Sequence, residues 1–327
     1  MSISFRDPAG KLFFHQEQVF RLVNQVGKDD FEYALQSKKL KQFLELGKLV
    51  NFYQLDSKEA ESLKEVVQNV FEIPSNHISS IVKHEKIPFL SYPYEWTPEM
   101  LHSAAELTLD LAEELQKEMI GLKDATPFNV LFRGAKPVFV DWLSFEKRDK
   151  FDPIWRSQAQ FIRTFCLPLM VHKYLGFQLS WIFRVNRDGF EPEIVYQMLS
   201  LRKKLTPPFL SVVTIPKLLG ATKMSTESAI YQKQTVNNAE KAQFILSQQF
   251  KSLRRLLKKI KPGSDIKSNW TDYIGDKQHF TDSYFNQKQQ FVESVLKEFQ
   301  PKNVLDVGCN TGSFSRIAAQ NGAQVIA

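Results

Sequence analysis

The last stretch of the chain constrains the fold most. Pro301 ends a helical pattern, Val304 to Val307 read as a short buried strand, and Gly308-Cys309-Asn310-Thr311-Gly312 is a loop. Ser313 to Gln320 return to helical spacing, Asn321-Gly322 stop it, and Gln324 to Ala327 begin a second strand. Strand, glycine-bearing loop, helix and strand make half of a nucleotide-binding βαβ unit. The preceding helix carries an apolar stripe of Phe285, Phe291, Val292, Val295, Leu296 and Phe299. A parallel sheet needs cover on both faces, which this much chain cannot supply, so the unit is expected to be incomplete at Ala327.

The loop restricts what can lie across it. Gly308 and Gly312 let a ligand approach the backbone closely, and Asn310 is among the few other residue types that tolerate positive φ. Asp306 stands at the strand tip, and G-x-x-x-G is not the G-x-G-x-x-G of a dinucleotide loop. Val304-Leu305-Asp306-Val307-Gly308-Cys309-Asn310-Thr311-Gly312-Ser313-Phe314-Ser315 resembles motif I of class I S-adenosylmethionine (SAM) dependent methyltransferases. The resemblance implies an α/β Rossmann-like domain beginning near Lys267, with Asp306, Gly308, Cys309, Asn310 and Gly312 binding SAM. Asp306 would organise the amino group of the cofactor's amino acid end. The family's second acidic residue, which grips the ribose, would come just after Ala327, so the chain as given is expected to bind SAM weakly or not at all. Trp270, Tyr273, His279, Phe280 and Tyr284 form an aromatic lead-in that would close over cofactor or substrate. The methyl acceptor is not legible.

A second constellation lies upstream. Thr97 can cap a helix with Pro98 at its first position and Glu99 at the positive end of the dipole. Leu101, Ala105, Thr108, Ala112, Leu115 and Met119 recur on one face, and Gly121 is expected to stop the helix. A β-hairpin follows, Val130-Leu131-Phe132 and Val138-Phe139-Val140-Asp141 around Arg133-Gly134-Ala135-Lys136. Asp124 and Asn129 stand as D-x-x-x-x-N before it and Asp141 ends it, the pattern of a catalytic Asp followed by two Mg²⁺ ligands in phosphoryl transfer. This segment resembles the catalytic loop and metal-binding Asp of the protein-kinase-like fold, in the flavour of aminoglycoside phosphotransferases. The resemblance implies an α+β kinase-like domain over 1–220, with a small lobe to about residue 90, and Ile87 to Trp96 as the hinge. Asp124 would be catalytic, Asn129 and Asp141 would hold Mg²⁺, and ATP would be the nucleotide; the alternative is a kinase-like fold kept for binding or as a non-catalytic scaffold. Leu122-Lys123 stand where such loops have a His, and the first ninety or so residues show no Gly-rich phosphate loop. Asp7-Pro8-Ala9-Gly10 reads as a turn, and Lys48 and Lys83 are candidate phosphate partners.

Between the two, Thr222 to Glu240 is polar, and 221–266 reads as a linker with a basic helix. Part of the net charge of +7 is concentrated at Lys251, Arg254, Arg255, Lys258, Lys259 and Lys261. These cations fall on a helix whose apolar positions are Phe244, Ile245, Leu253, Leu256, Leu257 and Ile260. The expectation is a solvated face, with a polyanion partner at 251–261 as the sharper alternative. Phe161 to Val185 is the most apolar run, but Arg163, His172, Lys173 and Arg184 interrupt it, so a buried helix pair is expected rather than a membrane span. Two cysteines, Cys166 and Cys309, and no signal sequence at the N-terminus fit a cytoplasmic enzyme.

Overall fold

Alternating apolar residues open the chain as an antiparallel hairpin, β1 (Gly10–His15) and β2 (Gln18–Asn24). Gln16 and Glu17 form its two-residue turn with φ of 47° and 61°, a left-handed geometry that usually calls for Gly or Asn. The helices α1 (Gln25–Leu35) and α2 (Lys38–Glu45) follow, then β3 (Phe52–Gln54), α3 (Ser57–Phe71) and β4 (Ile78–His84). The strands make a four-stranded antiparallel sheet in the order β1-β2-β4-β3. Period 2 sorts its faces: Phe20, Leu22 and Ile81 pack with Leu63 and Val67 of α3, while Val23 and Val82 join the main core on the other side. The result is a mixed α/β unit with one small antiparallel sheet.

The computed structural model describes residues 7–71, 73–220, 236–263 and 281–327. They fall into two compact units, Met1–Pro262 and Gly263–Ala327. In the first, α4 (Pro98–Leu115) begins as its sequence demands, with the Thr97 hydroxyl accepting from the Met100 amide. Leu101, Ala105, Thr108, Ala112 and Leu115 are all buried, but Met119 is 40% exposed. The stop differs from the expectation at Gly121. Gln116–Glu118 tighten into a 3-10 turn, Met119 itself takes the left-handed φ of 55°, and Gly121 lies within β5 (Ile120–Leu122), opposite Glu146. The hairpin of β6 (Val130–Arg133) and β7 (Lys136–Phe139) forms as expected, with Gly134 at φ 58° in its turn, and β8 (Phe145–Lys147) pairs with β5.

The apolar run becomes α5 (Gln158–Phe161), a π-turn over Ile162–Cys166, α6 (Leu167–Leu175) and α7 (Leu179–Val185). Gly176 ends α6 at φ 80°. Shorter helices α8 (Pro192–Met198), α9 (Leu201–Lys204), α10 (Pro207–Phe209) and α11 (Ile215–Gly220) close the region. The basic helix, α12 (Ala239–Ile260), was expected as part of a linker but packs into the first unit. Leu246, Phe250, Leu253, Leu256, Leu257 and Ile260 join the main core, whereas Phe244 is 63% exposed. The stripe is thus displaced from the one read at its start, because Phe250 and not Phe244 meets Trp155. No helix among the described residues is long and apolar enough to cross a membrane.

The second unit holds α13 (Asp282–Phe299), β9 (Asn303–Leu305), α14 (Ser313–Gln320) and β10 (Gln324–Ile326). β9 and β10 pair in parallel, as the βαβ reading requires. Leu296, Ile317 and Ala318 form its small core with Val292, Phe314 and Val325 around them. Phe291 and Phe299, read as part of the stripe of α13, are 67% and 70% exposed.

Candidate functional site

The front site is built around the end of β7. The segment Lys48 to Val50 runs beside that strand: the Phe139 amide donates to the Lys48 carbonyl and the Val50 amide to the Phe139 carbonyl, each at 2.9 Å. Trp142, buried, donates its indole N–H to the Val50 carbonyl at 2.8 Å, so the residue before it is held rigidly. That residue is Asp141. Its Oδ1 accepts from the Leu143 amide at 3.3 Å, capping a 3-10 turn over Trp142–Ser144.

Asn129 is brought to Asp141 through one hydroxyl. Ser144 Oγ donates to Asp141 Oδ2 at 2.6 Å and accepts from Asn129 Nδ2 at 3.1 Å. The Asn129 backbone joins the same assembly, its carbonyl accepting from the Val140 amide at 2.9 Å. Asp124 sits on the loop before, where the Ala125 amide donates to Gln160 Oε1 at 2.7 Å and the Thr164 hydroxyl to the Ala125 carbonyl at 3.1 Å. Burial raises the Asp124 carboxyl above its ordinary value, and the charges of Asp141 and Asp7 push the same way against Lys123 and a hydrogen bond with Gln160. The three residues singled out in the sequence therefore share one neighbourhood.

Several members of that neighbourhood carried no legible signal. Arg21, on the core-facing side of β2, places Nη1 2.6 Å from Asp141 Oδ1, with the two side chains 7% and 17% exposed. Asp7, read only as part of a turn, lies within electrostatic reach of Asp141, Lys123 and Arg21, and burial raises its carboxyl too. Its Oδ1 accepts from the Ala9 amide at 2.9 Å. The turn is close-packed at Gly10, where a Cβ would overlap the Leu22 carbonyl oxygen and stand 2.6 Å from Leu143 Cδ1. His84 on β4 is 5% exposed, and burial, followed by the Arg21 charge, lowers its pKa to about 3 against the opposing pull of the Asn51 backbone and Asp141.

Neither lysine proposed for phosphate reaches this place. Lys48 pairs with Asp110 of α4 at 3.5 Å, and Lys83 shares the strand face of Ile81, opposite to that of His84. Among the described residues no three of His, Cys, Asp and Glu stand close enough to hold a metal ion. The residues fit Mg²⁺ poorly, since Asp141 already has a guanidinium and an amide on Oδ1 and a hydroxyl on Oδ2.

The second unit presents a different site. The Asp306 amide donates to the Ile326 carbonyl at 2.8 Å, tying the strand tip into the parallel pair, and Asp306 Oδ2 accepts from Ser315 Oγ at 2.6 Å. Gly308, Asn310 and Gly312 take φ of 76°, 52° and 72°. A Cβ on Gly308 would meet nothing within 4 Å, so it is the left-handed backbone, not crowding, that selects glycine there. Cys309, half-buried in this loop, is a free thiol. Tyr284 on α13 is 49% exposed, while Trp270, Tyr273, His279 and Phe280 lie outside the described residues.

On α12 the cations divide. Arg254 bonds Asp110 at 2.6 Å and Glu113 at 2.8 Å and so ties the helix to α4. Lys251, Arg255, Lys258, Lys259 and Lys261 are exposed. The carbonyls of Lys259 and Lys261 also accept from Lys173 Nζ, at 2.9 and 2.7 Å.

With this geometry in hand, known proteins can be set beside the chain. No family model matches it. It is similar to the nodulation protein NoeA of Rhizobium meliloti (strain 1021), 28% identical over 323 residues, which is 98% of this chain. The chain spans 64% of that relative's length. Among solved structures, that of vaccinia related kinase 3 aligns over 80% of this chain and 85% of its own, at 12% identity and a TM-score of 0.36.

Proposed function

We propose that the chain is the front of a SAM-dependent methyltransferase in which a kinase-like domain precedes the methyl-transferring domain. The observation that supports this most is the loop after β9: an acid at the strand tip, followed by three left-handed residues that turn the backbone across the strand end. SAM carries no pyrophosphate, so its loop has no need of G-x-G-x-x-G. It carries an ammonium, which a carboxylate can hold. The residues present fit that group. Among the described residues only Ser315 donates a side-chain hydrogen bond to Asp306, so acceptor capacity is left for a ligand. Bound SAM would supply the electrophilic methyl group. Asp306 would orient the amino acid end, and Gly308, Cys309, Asn310 and Gly312 would carry the backbone past the cofactor.

The test is equilibrium titration with SAM of this chain and of a polypeptide extended to hold the further strands of the domain. Saturable binding by the extended polypeptide, lost on Asp306→Ala, is the expected result. Equal binding by the Asp306→Ala protein sinks the reading.

In the front domain, Asp124, Asn129 and Asp141 also support a kinase-like cleft, and a Mg²⁺ and ATP dependent phosphotransferase is the alternative. The Arg21–Asp141 pair favours a cleft that does not transfer phosphate. ATP turnover abolished by Asp141→Ala would reverse that preference. The unpaired thiols of Cys166 and Cys309 suit a reducing compartment, and we place the protein in the cytoplasm.

A further inference from the structure

A carboxylate that ends a hairpin strand beside a catalytic-loop Asn is where a kinase-like cleft would hold its divalent cation. Here that carboxylate is approached from the sheet side by a cation of the protein itself. Arg21 Nη1 lies 2.6 Å from Asp141 Oδ1, and both side chains are largely out of water. The remaining acceptors of Asp141 are directed inward as well, to the Leu143 amide and the Ser144 hydroxyl. Asn129 donates its Nδ2–H to that hydroxyl, which fixes its amide beside Asp141. We infer that Arg21 takes the place of a divalent cation at Asp141, so that this carboxylate of the front cleft is neutralised without a metal.

The surrounding charges agree. Asp7 and Asp124 stand within electrostatic reach of Asp141, and Lys123 opposes both. Three carboxylates in a partly buried site repel one another unless a positive charge is fixed among them. His84 faces the same place but does not share the task, since burial and the neighbouring guanidinium keep its ring neutral. An arginine cannot lose its proton at any ordinary pH, and its planar fork stays where the strand aims it. Arg21 is aimed by β2, where period 2 sets it on the same face as Val23 and opposite to Phe20 and Leu22. A hydrated Mg²⁺ at Asp141 would need Arg21 to leave, stranding a buried guanidinium.

The experiment is a Mn²⁺ titration, read by loss of the free-ion paramagnetic signal, of the wild-type chain and of Asp141→Asn, together with thermal melts in EDTA and in millimolar Mg²⁺. The expected result is that both proteins bind the same number of Mn²⁺ ions and that the wild-type melting temperature is the same in EDTA and in Mg²⁺. Arg21→Met should melt roughly 10 °C lower in EDTA, and added Mg²⁺ should restore part of that loss. A saturable wild-type Mn²⁺ site that disappears in Asp141→Asn overturns the inference. So does an increase in ATP affinity on adding Mg²⁺ that Asp141→Asn abolishes. The wild-type and Asp141→Asn titrations decide the matter even where Arg21→Met does not fold.

Discussion

Two aspartates in this protein follow the end of a short strand, and their surroundings are opposite. Asp141 follows β7 in a packed core, and its oxygens are taken by Arg21, Leu143 and Ser144. Asp306 follows β9 in a small unit where Leu305 and Val307 are 67% and 85% exposed, and among the described residues it receives one side-chain hydrogen bond, from Ser315. The first carboxylate already carries three donors from the chain itself, two on Oδ1 and one on Oδ2. The second takes one side-chain donor among the described residues, which leaves acceptor capacity for the ligand proposed above. Strand-end acids look alike in sequence; what separates structural use from ligand use is how many donors the fold itself brings to them.

This contrast can be broken at several points. Asp141→Ala should destabilise the first unit by about 3–5 kcal/mol, because it leaves Arg21 charged and buried without a partner. Urea unfolding followed by tryptophan fluorescence measures it, and a change below about 1 kcal/mol would show that the pair is solvated after all. Leu257→Ala should cost about 2–5 kcal/mol in the same measurement, since Leu257 is 2% exposed between α12 and α4, whereas a basic helix in a free linker would lose almost nothing. Ser144→Ala removes the hydroxyl that joins Asn129 to Asp141 and should cost about 1–3 kcal/mol. Asp306→Ala, by contrast, should leave the stability of the chain within about 0.5 kcal/mol while removing the SAM binding proposed for the extended protein.

The smallest effects are in pH dependence, and their signs differ. His84 has a folded pKa of about 3 against an ordinary 6.5, so the unfolded chain binds the proton first. Its contribution to stability is present above pH 6.5 and is lost as pH falls from there toward 3. Asp124 is raised above 3.8, so the folded chain keeps its proton longer and stability falls as pH rises through the window just above 3.8. His84→Asn should flatten the acid limb of a stability-against-pH curve, and Asp124→Asn should raise stability at neutral pH. Observation of the opposite slopes would mean that the charges around Arg21 are arranged otherwise than described.

Much of this was legible in residue order. The cap at Thr97, the hairpin around Gly134, the parallel unit at the C-terminus and its left-handed Asn310 all follow from local rules: a side chain satisfying its own backbone, or a φ that few residues accept. Asp124, Asn129 and Asp141 could be found together because their spacing is a loop and a hairpin, short-range structure that the chain dictates by itself. The stop of α4 at Met119 was not legible, since nothing in the residue marks it. Tertiary packing of β5 against β8 sets where that helix must end. The same holds for the turn at Gln16-Glu17, and for α12, whose cationic stretch reads as exposed while the neighbouring Leu and Phe positions decide that it is core.

Sequence alone therefore determined the locally coded elements and singled out Asp124, Asp141 and Asp306, but not Asp7. The tertiary structure decided what stands across from each acid. Arg21 and Asp141 are far apart in the chain, as are His102 and the Leu257 carbonyl 3.0 Å from it, and no periodicity or motif predicts such a meeting. The physical reason is range: caps, turns and helical faces are set within a few residues, whereas the charge beside a carboxylate is set by whichever distant strand the core brings against it.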